Sequence, residues 1–76
     1  MLRRGNFMKE IKITSEYITL GQFLKFADVI SNGGEAKFYL ASHKVLINNV
    51  EDNRRGRKLY EGDIVICQNK QFKIVK

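Results

Sequence analysis

The stretch "ITLGQFLKFADVISNGGEAKFYLASHKVLINN" (residues 18–49) decides the fold, because it carries two helix starts and then abandons the helical period. At the first start, Thr19 is placed to cap and Gln22, three residues on, completes a capping box. Ile18 and Phe23 fit the hydrophobic staple that fixes the entry of the chain. Leu20, Phe23, Leu24, Ala27 and Ile30 recur at helical spacing and form a stripe that has to be buried. The second start is "NGGE" (32–35), with Asn32 as cap and Glu35 at the third helical position. Ala36 and Leu40 then face the core with Tyr39 at its margin, while Lys37 and Lys44, seven apart, share another face. Beyond residue 44, "VLINNVED" sets branched residues on either side of Asn48-Asn49. Asparagine tolerates the left-handed backbone of a tight hairpin, so this segment reads as strand, turn, strand.

Outward from that stretch, "KEIKIT" (9–14) alternates Ile11 and Ile13 with charges, the pattern of a half-buried strand. "DIVICQ" (63–68) and "FKIVK" (72–76) read as a second strand pair around Asn69-Lys70. The order β-α-α-β-β-β-β describes an α+β domain: two helices in the N-terminal half packed on a small, mostly antiparallel sheet. Residues 1–7, "MLRRGNF", read as a flexible tail, and residues 8–76 as a single domain. Met8 is a second candidate for the start of translation, besides Met1.

A chain of 76 residues buries only about 60% of its unfolded surface, which leaves little room for a deep catalytic cleft. Fourteen Lys plus Arg against eight Asp plus Glu give a net charge of +6, and the hydrophobic fraction of 43% favours folding over disorder. A compact domain with this charge points to nucleic acid, an anionic membrane or an acidic protein as partner. The single cysteine, Cys67, rules out an internal disulfide framework and a thiolate metal cluster. The unbroken apolar runs, "FYLA" (38–41) and "IVIC" (64–67), are too short to cross a bilayer or serve as a secretory signal, so the expected location is the cytoplasm.

Nucleophilic catalysis needs a nucleophile, a base and an orienting group in one pocket. The lone His43 falls at the end of the second helix, where an imidazole caps or interacts with the helix dipole. Cys67 falls in an apolar strand, where a free cysteine acts as a small hydrophobe. Glu51, Asp52, Glu61 and Asp63 flank a basic run and balance it. Gly33-Gly34 with Lys37 lacks the spacing of a phosphate loop and the Ser/Thr after its lysine. The expectation is no enzyme, no cofactor and no metal.

The cations are better organised. "NRRGRKLYEGD" (53–63) gathers Arg54, Arg55, Arg57 and Lys58 around Gly56, which allows a bend that splays the arginines. Arginine is suited to bidentate phosphate contact. Lys25 on the first helix and Lys37 and Lys44 on the second extend the patch, and the Gly33-Gly34 helix start offers free N–H groups to a phosphate. Among the aromatics, Phe23, Phe38 and Phe72 fit core positions, and Phe26 and Tyr39 are the ones best placed to be exposed for base stacking.

In this order, "LGQFLKFADVISNGGEAKFYLASHKVLINN" (20–49) and "NRRGRKLYEGDIV" (53–65) resemble the RNA-binding domain named after small-subunit ribosomal protein S-four, the αL-type domain. "GG-x-AK" and "RRGRKL" are most similar to its small free-standing YaaA-type members. The resemblance covers more than half the chain. It implies an S-four-like fold whose two helices and adjoining hairpin edge bind RNA, with structured ribosomal RNA as the partner. Carried over position by position, it implies Lys25, Gly33, Gly34, Lys37, Lys44, Asn48, Arg54, Arg55, Arg57 and Lys58 as contacts. The chain departs from the family pattern at Thr19 and Gly21, where many members have a basic residue and an aspartate. It departs again at Gly33, where many have arginine, and at Asn49, the usual turn glycine.

The expected function is therefore a non-enzymatic RNA-binding module, docking on structured rRNA of the ribosome or its precursors by shape and phosphate placement. The alternative is a protein-interaction adaptor whose basic face meets an acidic partner. A β-grasp carrier requires a C-terminal Gly-Gly, whereas the chain ends "KIVK". A membrane-surface role requires a helix with a broad basic face beside a continuous apolar one, which neither helix has.

Overall fold

The charged alternation of residues 9–14 becomes strand β1 (Met8–Lys12), whose Ile11 enters the core. β1 runs parallel to the last strand, β7 (Lys70–Val75), with Ile11 opposite Ile74. β7 pairs antiparallel with β6 (Ile64–Cys67), β6 with β3 (Leu46–Ile47), and β3 with β4 (Val50–Glu51). The sheet order is β1-β7-β6-β3-β4, antiparallel except at β1. This computed structural model describes residues 8–76; the tail expected over residues 1–7 lies outside them.

Both expected hairpins form. Asn48 and Asn49 have φ of 52° and 70°, as a two-residue turn of the primed type demands. The second hairpin turns one residue earlier than the sequence reading places it. Gln68 and Asn69 take the left-handed conformation, at φ 53° and 63°, and Lys70 already belongs to β7.

The sheet buries one face under two short helices. Helix α1 (Leu20–Phe26) begins as expected: Thr19 Oγ1 accepts from the Gln22 N–H at 3.2 Å, and Gln22 Oε1 accepts from the Thr19 N–H at 2.9 Å. The two staple residues, Ile18 and Phe23, are both buried. Phe23 meets Phe72 of β7 edge-to-face at 5.2 Å, which joins helix to sheet. The helix stops before Ile30. Asp28 adopts φ 63°, the Val29 N–H bonds the Leu24 carbonyl and the Asp28 N–H bonds that of Lys25, the paired bonds of a Schellman ending. Ile30 still reaches the core, from the following turn rather than from the helix.

The "GGE" segment forms a single 3₁₀ turn (Gly33–Glu35) that leads into α2 (Ala36–Ser42). Ala36, Tyr39 and Leu40 are buried, at the three- and four-residue spacing of one helix face. This corrects two expectations. Phe38, expected in the core, is 73% exposed, and Tyr39, expected among the exposed aromatics, is 8% exposed. Phe38 follows Ala36 by two residues, and that step places it on the opposite side of the helix.

The structure also contains a feature absent from the sequence reading. β2 (Tyr17–Thr19) and β5 (Lys58–Tyr60) form a separate antiparallel ribbon. Ile18 and Leu59, directly opposite each other, are buried. Tyr17 and Tyr60 form the neighbouring pair, with ring centroids 5.7 Å apart.

Candidate nucleic-acid interface

The ribbon delivers the arginine loop to the start of α1. The first N–H groups of a helix have no partner inside it. Here the Leu20 N–H donates to the Arg57 carbonyl at 2.7 Å and the Gly21 N–H to the Arg55 carbonyl at 2.9 Å. The backbone of the basic loop therefore satisfies α1, and its register is tied to the helix. Gly21 makes the approach possible. A Cβ at that position would lie 3.2 Å from Arg55 Cγ, a tight approach, and 3.4 Å from Arg55 O, at the edge of ordinary contact. The departure from the family aspartate at this position thus has a steric consequence in the chain itself.

Within the loop, Arg54 to Arg57 form a turn closed by the Arg57 N–H on the Arg54 carbonyl at 3.0 Å. Gly56 sits in this turn without adopting positive φ, so the bend does not draw on its left-handed freedom. Asp52 organises the cations. Its Oδ1 accepts from the Arg54 backbone N–H and Nε, and its Oδ2 accepts from Arg54 Nη2 at 2.8 Å and Arg57 Nη1 at 3.1 Å. These bonds, the Arg54 guanidinium foremost, hold the Asp52 carboxyl well below the usual carboxylate range, against the opposing effect of its burial. The pairing also pushes Arg54 further toward its protonated form. Arg54 and Arg57 are therefore partly spent on an internal carboxylate, whereas Arg55 forms no ion pair among the described residues.

Arg55 faces α2. Together with Lys37, Leu40, Ala41 and Asn53 it lines a shallow groove of about 370 Å³. Two cations from separate elements thus share one concave surface, with exposed Phe38 following Lys37 along the same helix. Lys58 continues from the loop into β5, its Nζ 5.0 Å from the centroid of the Tyr17 ring. Lys25 is exposed in the last turn of α1.

The remaining expected contacts are placed differently. Lys44 is exposed but lies beyond the end of α2 and does not share a helical face with Lys37. His43 leaves the helical region, at φ −129° and ψ 142°, so that Val45 can enter the core. Asn48 is engaged internally: its Nδ2 donates to Asp63 Oδ1 at 3.1 Å, and its Oδ1 accepts from the Ile64 N–H at 3.0 Å. It clamps the β3–β4 turn to the start of β6. At the Gly33-Gly34 turn, the Gly34 N–H already donates to Asn32 Oδ1 at 3.0 Å. The Glu35 carboxylate accepts from the Ser31 N–H and from Asn32 Nδ2, each at 3.2 Å. That turn thus carries its own carboxylate, and the Gly34 N–H is already engaged within it.

His43 stacks on Tyr39 with centroids 4.3 Å apart, and its Nδ1 lies 3.2 Å from the Tyr39 carbonyl oxygen. This is the capping placement that its position implies. Cys67 is buried, and burial pushes its thiol up, away from the reactive thiolate. Among the described residues no cluster of His, Cys, Asp and Glu is arranged to hold a metal ion, and no helix is long and apolar enough to cross a membrane.

Sequence reasoning missed four participants: Gly21, Asp52 as the organiser of the loop, Phe38 as an outward aromatic, and the Tyr17–Tyr60 pair. A signal existed for Phe38 in its two-residue offset from Ala36. Gly21 stands out as a glycine inside the first turn of a helix, where it weakens the helix unless something needs the space.

The model of the S4 domain family matches residues 11–75 of this chain, which takes in the ribbon, both helices, the arginine loop and the five-stranded sheet's inner strands. A relative from Bacillus subtilis (strain 168), named "Probable ribosome maturation protein RlbA", is 66% identical over 55 residues, covering 72% of this chain and 78% of the relative. With a matching family model over most of its length and the two-helix, mixed-sheet architecture that carries the arginine loop, the chain belongs to the S4 domain family.

Proposed function

We propose that the protein binds structured RNA, in particular ribosomal RNA of the ribosome or its precursors, and that it does so without catalysis. The observation that carries this reading is the groove in which Lys37 of α2 and Arg55 of the loop stand together, with the loop backbone bonded to the start of α1. A groove of this kind, walled by cations on fixed backbone, suits the phosphates of a folded RNA. Such contacts position the protein by shape rather than by reading bases. The role of the RlbA relative in ribosome maturation, as its name gives it, supports the choice of ribosomal RNA and an assembly role.

Within this reading the loop residues divide their work. Arg55, Lys37 and Lys58 meet phosphates. Arg54 and Arg57 hold the loop through Asp52 and offer only their remaining N–H groups, and Lys25 and Lys44 extend the positive field at the edges. Gly33 and Gly34 shape the turn, and Asn48 supports the sheet edge. Cross-linking in cells, followed by sequencing of the attached RNA, tests the partner. Enrichment of one region of ribosomal RNA is expected. Absence of any RNA enrichment, with an acidic protein captured instead, would contradict the reading and favour an adaptor.

A further inference from the structure

A larger groove, of about 620 Å³, lies where the chain between β1 and β2 passes α1, on walls that include Lys12, Ile13, Glu16, Tyr17, Gln22 and Phe26. Its size falls within the roughly 300–1,000 Å³ typical of sites for small organic groups. Two of its walls are aromatic and exposed, Tyr17 at 37% and Phe26 at 55%. Neither ring has a core role to explain it: Ile18 and Leu59 already bury the ribbon, and Phe23 and Leu24 already bury α1.

Tyr17 is held in place. Tyr60 lies 5.7 Å from it at an interplanar angle of 49°, and the Lys58 ammonium sits 5.0 Å from its centroid. Polar groups for a base edge are at hand. The helix cap uses Gln22 Oε1 and leaves the Nε2 donors without a partner among the described residues. The Glu16 carboxylate is an acceptor for an exocyclic amino group, and Lys12 supplies a cation on the same wall. The groove is also continuous with the loop. Thr19 on its wall pairs with Lys58, the residue that follows Arg57.

We propose that this groove receives an unpaired base of the bound RNA, stacked against Tyr17 and Phe26, with its neighbouring phosphate on Lys58 or Lys12. The inference rests on the RNA-binding reading above and adds to it a preference for structured RNA with a single-stranded extension. Aromatic faces stack any base, and an anionic strand is the occupant that the flanking lysines select.

The test uses the full chain and two RNA hairpins with the same stem, each with overhangs of about six nucleotides at both ends, within the site sizes known for single strands. One set of overhangs carries bases and the other is abasic, so the phosphates are equal. The wild-type protein is expected to prefer the base-bearing RNA by about tenfold, the scale of one stacked base. Tyr17→Leu with Phe26→Leu is expected to abolish that preference and leave affinity for the abasic RNA unchanged, while Tyr17→Phe retains it. Equal affinity of the wild-type protein for the two RNAs would overturn the proposal, as would a leucine variant that loses affinity for both alike. Lys37→Ala with Arg55→Ala should weaken both RNAs equally. If that variant binds as the wild type does, it is the RNA-binding groove that fails and not the base site.

Discussion

In the sequence Asn48 reads as a hairpin-turn residue and Asp52 as an acid beside the basic run, and each is fixed by specific bonds. Asn48 holds a left-handed backbone, and its side chain bonds both Asp63 and the Ile64 N–H. Asn48→Ala is expected to cost about 2 kcal/mol of stability, from left-handed strain and lost hydrogen bonds. Denaturant titration measures that loss, and the RNA affinity of the folded variant should match the wild type. Asp52 sets the loop through Arg54 and Arg57. Its carboxyl is depressed in the folded protein, so its contribution to stability is present above the unfolded value of about 4 and is lost as pH falls through the folded value. The stability gap between the wild type and Asp52→Asn should therefore narrow when denaturation at neutral pH is repeated at about pH 3. A gap that is constant with pH would mean that the carboxylate charge is irrelevant to the loop.

Among the elements, α1 is the one on which both the fold and the candidate site depend, and buried Gly21 is its most sensitive position. Gly21→Ala adds helix propensity worth about 1 kcal/mol. It also pushes against Arg55, whose Cγ and carbonyl lie 3.2 and 3.4 Å from the new Cβ. Arg55 has to give by a few tenths of an ångström, so stability should change little while RNA affinity falls modestly, and Gly21→Val should lower both. Paired melting and binding measurements separate the two effects. The elements that were legible in the sequence are those whose instructions are local. Thr19 and Gln22 cap one helix, Asn32 and Glu35 start the other, and Asn48-Asn49 turns a hairpin. The β2–β5 ribbon was not legible, because three residues per strand carry no period. Its stability comes from Ile18 meeting Leu59 across the fold. The length of α1 was overestimated for a related reason: Ile30 satisfies the helical spacing but reaches the core after Asp28 has turned the chain. Phe38 looks like a core residue in the sequence, although its two-residue offset from Ala36 turns it away from the buried face of α2.

At the level of the whole molecule, the excess of positive charge was legible from composition, but its division was not. The sequence counts Arg54, Arg55, Arg57 and Lys58 as equals, whereas Asp52 withdraws two of them and leaves Arg55 to meet Lys37 across the groove. That pairing of a loop cation with a helix cation is the central claim, and the salt dependence of RNA affinity tests it most directly. With roughly five phosphates neutralised, wild-type affinity for a structured rRNA fragment should fall about 100-fold or more for a fourfold rise in salt. Lys37→Ala with Arg55→Ala should weaken binding and flatten the slope by nearly two contacts. Arg3→Ala with Arg4→Ala, which removes the same charge elsewhere in the sequence, should change the slope far less. Equal losses from the two double variants, or an affinity that barely responds to salt, would contradict the account.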